Sequence, residues 1–150
     1  MNTIPAQVRK AVPTDLDAVY DFICTLEQEA FDKERFAQIF ESNLLHNDIL
    51  YLLAAHEQRP AGFISLHIQQ LLHHCDMVGE IQEFFIAPEY RGKGIGRLLI
   101  GEVKAYAAAN NIRFIEVTTN KRRTENVAVY EALGFKLTHH KFTFPAVSQV

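Results

Sequence analysis

The segment Arg91-Gly92-Lys93-Gly94-Ile95-Gly96-Arg97 sets three glycines among three cations. Glycines at 92, 94 and 96 let the backbone approach a ligand without side-chain obstruction. Ile95, Leu98, Leu99, Val103 and Tyr106 follow at helical spacing, so a helix starts inside the turn. Its first amides lack intrahelical partners and point outward at the positive end of the dipole. Such a turn suits a phosphate or pyrophosphate, to which Arg91, Lys93 and Arg97 add positive charge. It is not a P-loop, because no Gly-Lys-Ser/Thr follows. Nor is it a G-x-G-x-x-G dinucleotide fingerprint, since the spacing here is G-x-G-x-G.

The elements that must hold this turn are legible along the chain. Val8–Ala11 reads as a first strand. Thr14 is placed as an N-cap with Asp17 as its capping-box partner, and Leu16, Val19, Tyr20, Ile23 and Leu26 follow on one helix face. Phe36, Ile39, Phe40 and Leu44 mark a second helix. The apolar runs Ile49–Ala55 and Ala61–Ile68 form a hairpin around a turn at Gln58-Arg59-Pro60. A looser stretch, Gln70–Met77, leads to a strand over Val78–Ala87, which Pro88-Glu89-Tyr90 breaks just before the glycine turn. After the helix come a strand over Arg113–Thr119, a helix over Thr124–Leu133 ending at Gly134 as its C′ glycine, and two closing strands, Phe135–Leu137 and His140–Phe144. The order βααβββαβαββ predicts a single α/β domain over residues 1–150, with a mixed twisted sheet flanked by about four helices.

Composition bounds the class without naming a function. The chain is 48% hydrophobic and 22% charged, with a formal charge of −3. That balance fits an ordinary globular domain and argues against nucleic acid as the partner. No apolar run approaches the roughly 18 residues of a membrane span. Met1-Asn2-Thr3-Ile4-Pro5 lacks the organisation of a secretory signal. Cys24 and Cys75 therefore read as reduced thiols of a cytoplasmic protein.

The segment from Phe84 through Ala87-Pro88-Glu89-Tyr90-Arg91 to Leu99 resembles the signature of the GNAT superfamily of N-acetyltransferases, with Arg91, Gly94 and Gly96 as its R-x-x-G-x-G core. Tyr130-Glu131-Ala132-Leu133-Gly134-Phe135 is similar to the family's second landmark. The resemblance implies acetyl-coenzyme A as co-substrate. Its pyrophosphate would lie on the amides of Gly92, Lys93, Gly94, Ile95 and Gly96, and its pantetheine arm would pair with the backbone of Phe85 and Ile86 like an added strand. Many members carry an asparagine seven residues before the tyrosine. This chain has Arg123 there, and Asn120 is the candidate to cover that role.

Acetyl transfer needs a neutral amine, a stabilised oxyanion and a protonated leaving thiolate. A simple alkylammonium has a pKa near ~10, so about one molecule in a thousand is reactive at pH 7. On the strand lining the acetyl site, Glu83 is the first candidate base and Glu80 the second. Tyr130 resembles the family's general acid toward the thiolate. Lys121-Arg122-Arg123 faces three readings: a site for an anionic substrate, through Arg122, a site for the coenzyme's 3′-phosphate, or a solvated basic run. His67, His73 and His74 fall near Glu80 and Glu83 in sequence. Adjacent histidines on a regular strand point to opposite faces, so a divalent metal would draw on His67 or His74 with Glu80 or Glu83, and His67, His74 and Glu80 are the expected ligands.

A tighter resemblance bears on the acceptor. Leu66-His67-Ile68-Gln69, Leu72-His73-His74, Gly79-Glu80-Ile81-Gln82-Glu83, Asp17–Cys24 and Thr118-Thr119-Asn120-Lys121-Arg122 are similar to the aminoalkylphosphonate N-acetyltransferases. That implies acetylation of small aminophosphonates, substrate contacts from His67, His74 and Arg122, a divalent-metal dependence and a homodimer. Three other classes compete. A phosphate-binding scaffold without coenzyme A would leave the Tyr130 to Phe135 landmark unexplained. The others are an N-acetyltransferase for a protein N-terminus, a polyamine or an aminoglycoside, and a non-catalytic acetyl-coenzyme-A-binding module. The pairing of Glu83 with Tyr130 weighs against the latter, since binding alone needs neither base nor acid.

Overall fold

A computed structural model describes residues 2–147. The chain falls into two compact units, Met1–Val117 and Thr118–Val150, taken here in turn.

The first unit is built on a five-stranded sheet in the order β1-β2-β3-β4-β5. Its strands are β1 (Gln7–Lys10), β2 (Ile49–His56), β3 (Arg59–Leu71), β4 (Asp76–Ile86) and β5 (Phe114–Val117). The first four pair antiparallel, and β5 joins β4 in parallel. The sheet is therefore mixed, as expected. Helices α1 (Leu16–Glu27) and α2 (Lys33–Leu44) separate β1 from β2, and α3 (Ile95–Ala109) joins β4 to β5.

Both hairpins are tighter than the sequence suggests. The β2–β3 turn is Glu57-Gln58, with φ of 49° and 65°. Two consecutive positive φ values match the strand twist in a two-residue hairpin, so Arg59 and Pro60 already belong to β3. The stretch expected to be loose, Gln70–Met77, is mostly strand: Leu71 pairs with Asp76, leaving four turn residues.

The start of α1 also differs from expectation. A 3-10 turn, Pro13–Asp15, precedes it, and Asp15 rather than Thr14 occupies the N-cap. The Asp15 carboxylate accepts from Val12 N at 2.8 Å and takes a two-pronged bond from Arg9 at 2.7 and 2.8 Å. The bidentate geometry ties β1 to the entry of α1. At α2, Asp32 accepts from Arg35 N at 2.7 Å, an ordinary N-cap bond.

Apolar side chains cover both faces of the sheet. On one, Val19, Ile23 and Phe40 from α1 and α2 pack with Leu53 and Phe63. Rings run Phe36–Phe40–Tyr51–Phe63 at centroid spacings of 6.5, 5.7 and 5.3 Å. On the other face lies α3. A Cβ at Gly96 would stand 3.3 Å from the Phe84 ring, and one at Gly62 would stand 3.2 Å from Leu99. The third glycine of the turn thus serves helix-on-sheet packing.

The second unit contains α4 (Glu125–Ala132). It ends in a Schellman motif: Gly134 at φ 95°, Phe135 N donating to Tyr130 O, Gly134 N donating to Glu131 O, and the Tyr130 and Phe135 rings 5.9 Å apart. The C′ role expected of Gly134 holds. The strands expected at Phe135–Leu137 and His140–Phe144 do not form among the described residues. Leu137, Phe142 and Phe144 are 73%, 93% and 88% exposed. Alternation alone does not make a strand without a paired edge to bury it, and this unit offers no strand to pair with.

Arg9 holds the Asp15 carboxyl below the usual carboxylate range, chiefly by hydrogen bonding. The pair's stabilisation is therefore complete above the unfolded value of ~3.9 and fades as pH falls toward the depressed folded value. Asp15→Asn should cost about 1–3 kcal/mol at pH 7 in denaturant unfolding, with the deficit closing in acid. Equal midpoints at pH 7 would refute this.

Candidate active site

The glycine turn has the geometry of an anion cradle. Gly92 and Gly94 have φ of 72° and 88°, in the left-handed region that favours glycine. Gly94 is the N-cap of α3, and the first intrahelical bond runs from Leu98 N to Gly94 O. The amides of Ile95, Gly96 and Arg97 are left without intrahelical partners at the start of a 15-residue helix. No acidic side chain occupies the first turn to compete for them. Ile95 contributes by its amide, because its side chain is 1% exposed. Arg91 and Lys93 brace the turn itself: Arg91 Nε donates to Ile86 O at 2.9 Å and Lys93 Nζ to Glu89 O at 2.8 Å.

Next to the cradle, β4 has a strand on one side only. Its pairing with β5 runs from Val78 to Ile81 and stops there. From Gln82 to Ile86 the edge away from β3 has no strand partner among the described residues of this unit. Phe85 and Ile86, the residues expected to pair with the pantetheine arm, lie on that edge.

The same stretch carries a β-bulge. Between Ile64 and Leu66 of β3 the partner position moves from Phe84 to Ile81, so β4 holds one extra residue opposite Ser65. Ser65 closes the bulge from both sides. Its hydroxyl donates to Glu83 Oε1 at 2.6 Å and accepts from Glu83 N at 2.9 Å. Ser65 is fully buried, which fixes the carboxylate in place. The bulge also reverses side-chain parity. Three residues apart on a regular strand, Glu80 and Glu83 would face opposite ways. Here Glu80 pairs with His67 and Glu83 bonds Ser65, two residues earlier on β3, so both carboxylates share the α1–α2 face.

Register extends this face. His67, Glu80 and Glu116 are direct neighbours across β3, β4 and β5. Glu116 also meets His74 Nε2 at 3.1 Å, and the His74 ring lies 4.9 Å from Phe114. Glu116 is a site residue that sequence reasoning missed. Its strand is short, and only the parallel register places it beside Glu80. On the β2 side, Tyr51 lies 6.5 Å from the His67 ring and receives Asn43 Nδ2 at 2.7 Å. Burial pushes the Tyr51 hydroxyl's pKa up, against the lowering effect of the Asn43 hydrogen bond, with a further upward contribution from the charge of Glu83.

The expected metal set is not assembled. Among the described residues, no three His, Cys, Asp or Glu side chains converge on a point that could hold a metal ion. His74 Nε2 is engaged by Glu116, while His67 and Glu80 face each other as a cross-strand pair. His73 and His74 lie in the β3–β4 turn, not on a strand, with rings 4.4 Å apart.

The remaining candidates lie in the second unit. Asn120 Oδ1 accepts from Arg122 N at 3.0 Å and its carbonyl from Arg123 N at 2.9 Å, a local turn. Asn126 Nδ2 donates to Thr119 Oγ1 at 2.9 Å and secures that turn to α4. Tyr130 is half-buried on α4. Burial raises its pKa above the ordinary tyrosine value, and the Arg123 charge opposes the shift. Cys24 and Cys75 are free thiols. No helix among the described residues is long and apolar enough to cross a membrane.

Comparison with known proteins decides what the cradle, the open edge and the carboxylates belong to. Residues 16–135 match the family model described as Acetyltransferase (GNAT) family. The chain belongs to the GNAT acetyltransferases. It is 36% identical over 137 residues to the aminoalkylphosphonate N-acetyltransferase of Salmonella typhimurium, covering 91% of this chain and 89% of that protein. Among solved structures, a transcriptional regulator from Bacillus halodurans superposes with a TM-score of 0.86 at 20% identity, covering 94% and 99% of the two chains. The aminoglycoside N-acetyltransferase AAC(6')-Iy, solved with coenzyme A, superposes with a TM-score of 0.84 at 20% identity, covering 94% of each chain. These two likenesses establish the fold. As a GNAT N-acetyltransferase, the chain uses acetyl-coenzyme A as its acetyl donor.

Gly94→Ala tests the cradle. An added methyl would meet Thr3 at 3.0 Å and sit at a φ that costs an L-residue about 1–2 kcal/mol. The expected outcome is a roughly tenfold or larger rise in KM for acetyl-coenzyme A with an unchanged circular dichroism spectrum. An unaltered KM would remove Gly94 from the cradle.

Proposed function

We propose that this enzyme acetylates the primary amine of small aminoalkylphosphonates, as a single N-acetyltransferase domain acting in the cytoplasm. The observation that carries this is the 36% identity to the Salmonella aminoalkylphosphonate N-acetyltransferase over 91% of the chain. The family match runs from residue 16 to 135, across both units, which supports reading them as one domain. Free thiols such as Cys24 and Cys75 suit a reducing compartment.

In the proposed mechanism, coenzyme A lays its pyrophosphate on the amides of Gly92 to Gly96, with Arg97 near the charge. Its pantetheine arm runs along the unpaired Phe85–Ile86 edge of β4. Asn120 and Arg122 are assigned further coenzyme and substrate contacts. The acceptor lies on the α1–α2 face, among His67, His74, Glu80 and Glu83. Glu83, held by Ser65, takes a proton from the ammonium directly or through a water, and Glu80 supports the positive charge before transfer. The neutral nitrogen attacks the thioester carbonyl. An amide of the β4 edge stabilises the oxyanion. Collapse of the tetrahedral intermediate breaks the carbon–sulfur bond, and the departing thiolate takes its proton from Tyr130. Burial keeps Tyr130 protonated at neutral pH, so the proton is there to give.

The three carboxylates on one face favour a second reading, a cationic acceptor such as a polyamine. Following thiol release from acetyl-coenzyme A across a panel of amines separates the two. A rate for a polyamine with none for aminomethyl- or aminoethylphosphonate would overturn the first. Two variants test the chemistry. Glu83→Gln should lower kcat about a hundredfold near neutrality, with the deficit shrinking as pH approaches the amine's own pKa of ~10, where no base is needed. Tyr130→Phe should lower kcat and leave the KM for acetyl-coenzyme A in place; an unchanged kcat would remove the general-acid role.

A further inference from the structure

The α1–α2 face is electrically lopsided. On its β4–β5 side stand Glu83, Glu80 and Glu116. On its β2–β3 side stand Tyr51 and His67, with ring centroids 6.5 Å apart. An acceptor held only by the carboxylate side would be any amine. An acceptor that is both cationic and anionic needs a hydrogen-bond donor on the other side, because its anionic end is repelled by three carboxylates.

Tyr51 is arranged to be that donor. A phenol oxygen can accept a hydrogen bond and donate one. Asn43 Nδ2, from the last turn of α2, donates into the Tyr51 oxygen at 2.7 Å. The phenol's own hydrogen must therefore go elsewhere, and among the described residues it has no acceptor. The ring has little freedom to turn away. It stacks on Phe40 at 5.7 Å and 13° and packs edgewise on Phe63 at 5.3 Å. Tyr51 is also the register partner of Ser65, which holds Glu83, so its side chain rises from the sheet next to the carboxylate proposed as base. Burial, helped by the Glu83 charge, outweighs the opposing effect of the Asn43 hydrogen bond and keeps the proton on the phenol.

We infer that the Tyr51 hydroxyl, committed as a donor by Asn43, recognises the anionic end of the acceptor and makes the enzyme selective for amines that carry an oxyanion. His67, whose ring nitrogens have no hydrogen-bond partner among the described residues, flanks the same end. Tyr51 is then a specificity-determining residue that takes no part in the proton transfers. This rests on the proposed aminoalkylphosphonate acceptor.

The test is steady-state kinetics of the wild type, Tyr51→Phe and Asn43→Asp with two acceptors, aminoethylphosphonate and butylamine, which has the amine and no anion. Tyr51→Phe keeps the ring packing and removes only the donor. It should raise KM for aminoethylphosphonate roughly tenfold or more, since a hydrogen bond to a charged group is lost. Its kcat, its KM for acetyl-coenzyme A and its kinetics with butylamine should stay within about twofold of wild type. Asn43→Asp gives the phenol hydrogen a carboxylate to bond instead, and should reproduce the rise in KM with Tyr51 still in place. An unchanged KM for aminoethylphosphonate in Tyr51→Phe, or an equal rise with butylamine, would overturn the inference. An unchanged KM in Asn43→Asp would overturn the orienting role of Asn43. A wild-type enzyme that acetylates butylamine and no aminophosphonate would instead overturn the substrate proposal and this inference with it.

Discussion

The site depends on one irregularity, the extra residue that β4 carries opposite Ser65. A regular antiparallel ladder between β3 and β4 would send Glu80 and Glu83 to opposite faces and bury one of them under α3. The bulge turns the strand between them, and the two-way bond between Ser65 and the Glu83 backbone and carboxylate holds the turn. With Ser65 wholly buried, its hydroxyl has no water to substitute for Glu83, so the bond is costly to lose. The bulge lies where pairing with β5 has just ended, and a bulge bends the strand that carries it.

Around that irregularity the first unit is conventional, and the convention positions the chemistry. The α3 helix is pressed onto β4 because Gly96 offers no side chain to the Phe84 ring, and its N-terminus therefore opens beside the unpaired edge. Phe84 and Phe85, adjacent on β4, anchor opposite faces: one ring meets Gly96 of α3 and the other meets Phe22 of α1 at 5.3 Å. This end of β4 is thus gripped from both sides. The glycine turn and the polar face proposed for the acceptor thus adjoin a single strand, the arrangement that positioning catalysis requires.

Polarity on the acceptor face comes from register as much as from residue type. Like charges side by side on neighbouring strands are unfavourable, yet Glu80 and Glu116 are register partners in a parallel pair. His74 meets the outer carboxylate from the hairpin turn, and His67 faces the inner one across the antiparallel pair. The histidines that the sequence grouped as metal ligands, His67 and His74, are therefore each aligned with a carboxylate of the sheet, and among the described residues no three ligands converge.

The sequence by itself determined the element order up to α4, the glycine turn at the start of α3 and the Gly134 helix stop, because each is a local pattern: helical spacing, alternation, glycines ahead of a helical stripe, or a C′ glycine. It also named Glu80, Glu83, His67 and His74, through their closeness along the chain and a family resemblance. It did not reveal Glu116, Tyr51 with Asn43, or Ser65. Those residues are brought to the site from β5, β2 with α2, and β3, by strand pairing across separations that no local window spans. Local pattern also failed where it lacked a partner, at Phe135–Leu137 and His140–Phe144, whose alternation finds no strand within their own unit. The shared face of Glu80 and Glu83 was the tertiary structure's decision. One inserted residue changes side-chain parity, and parity is set by what lies across the ladder.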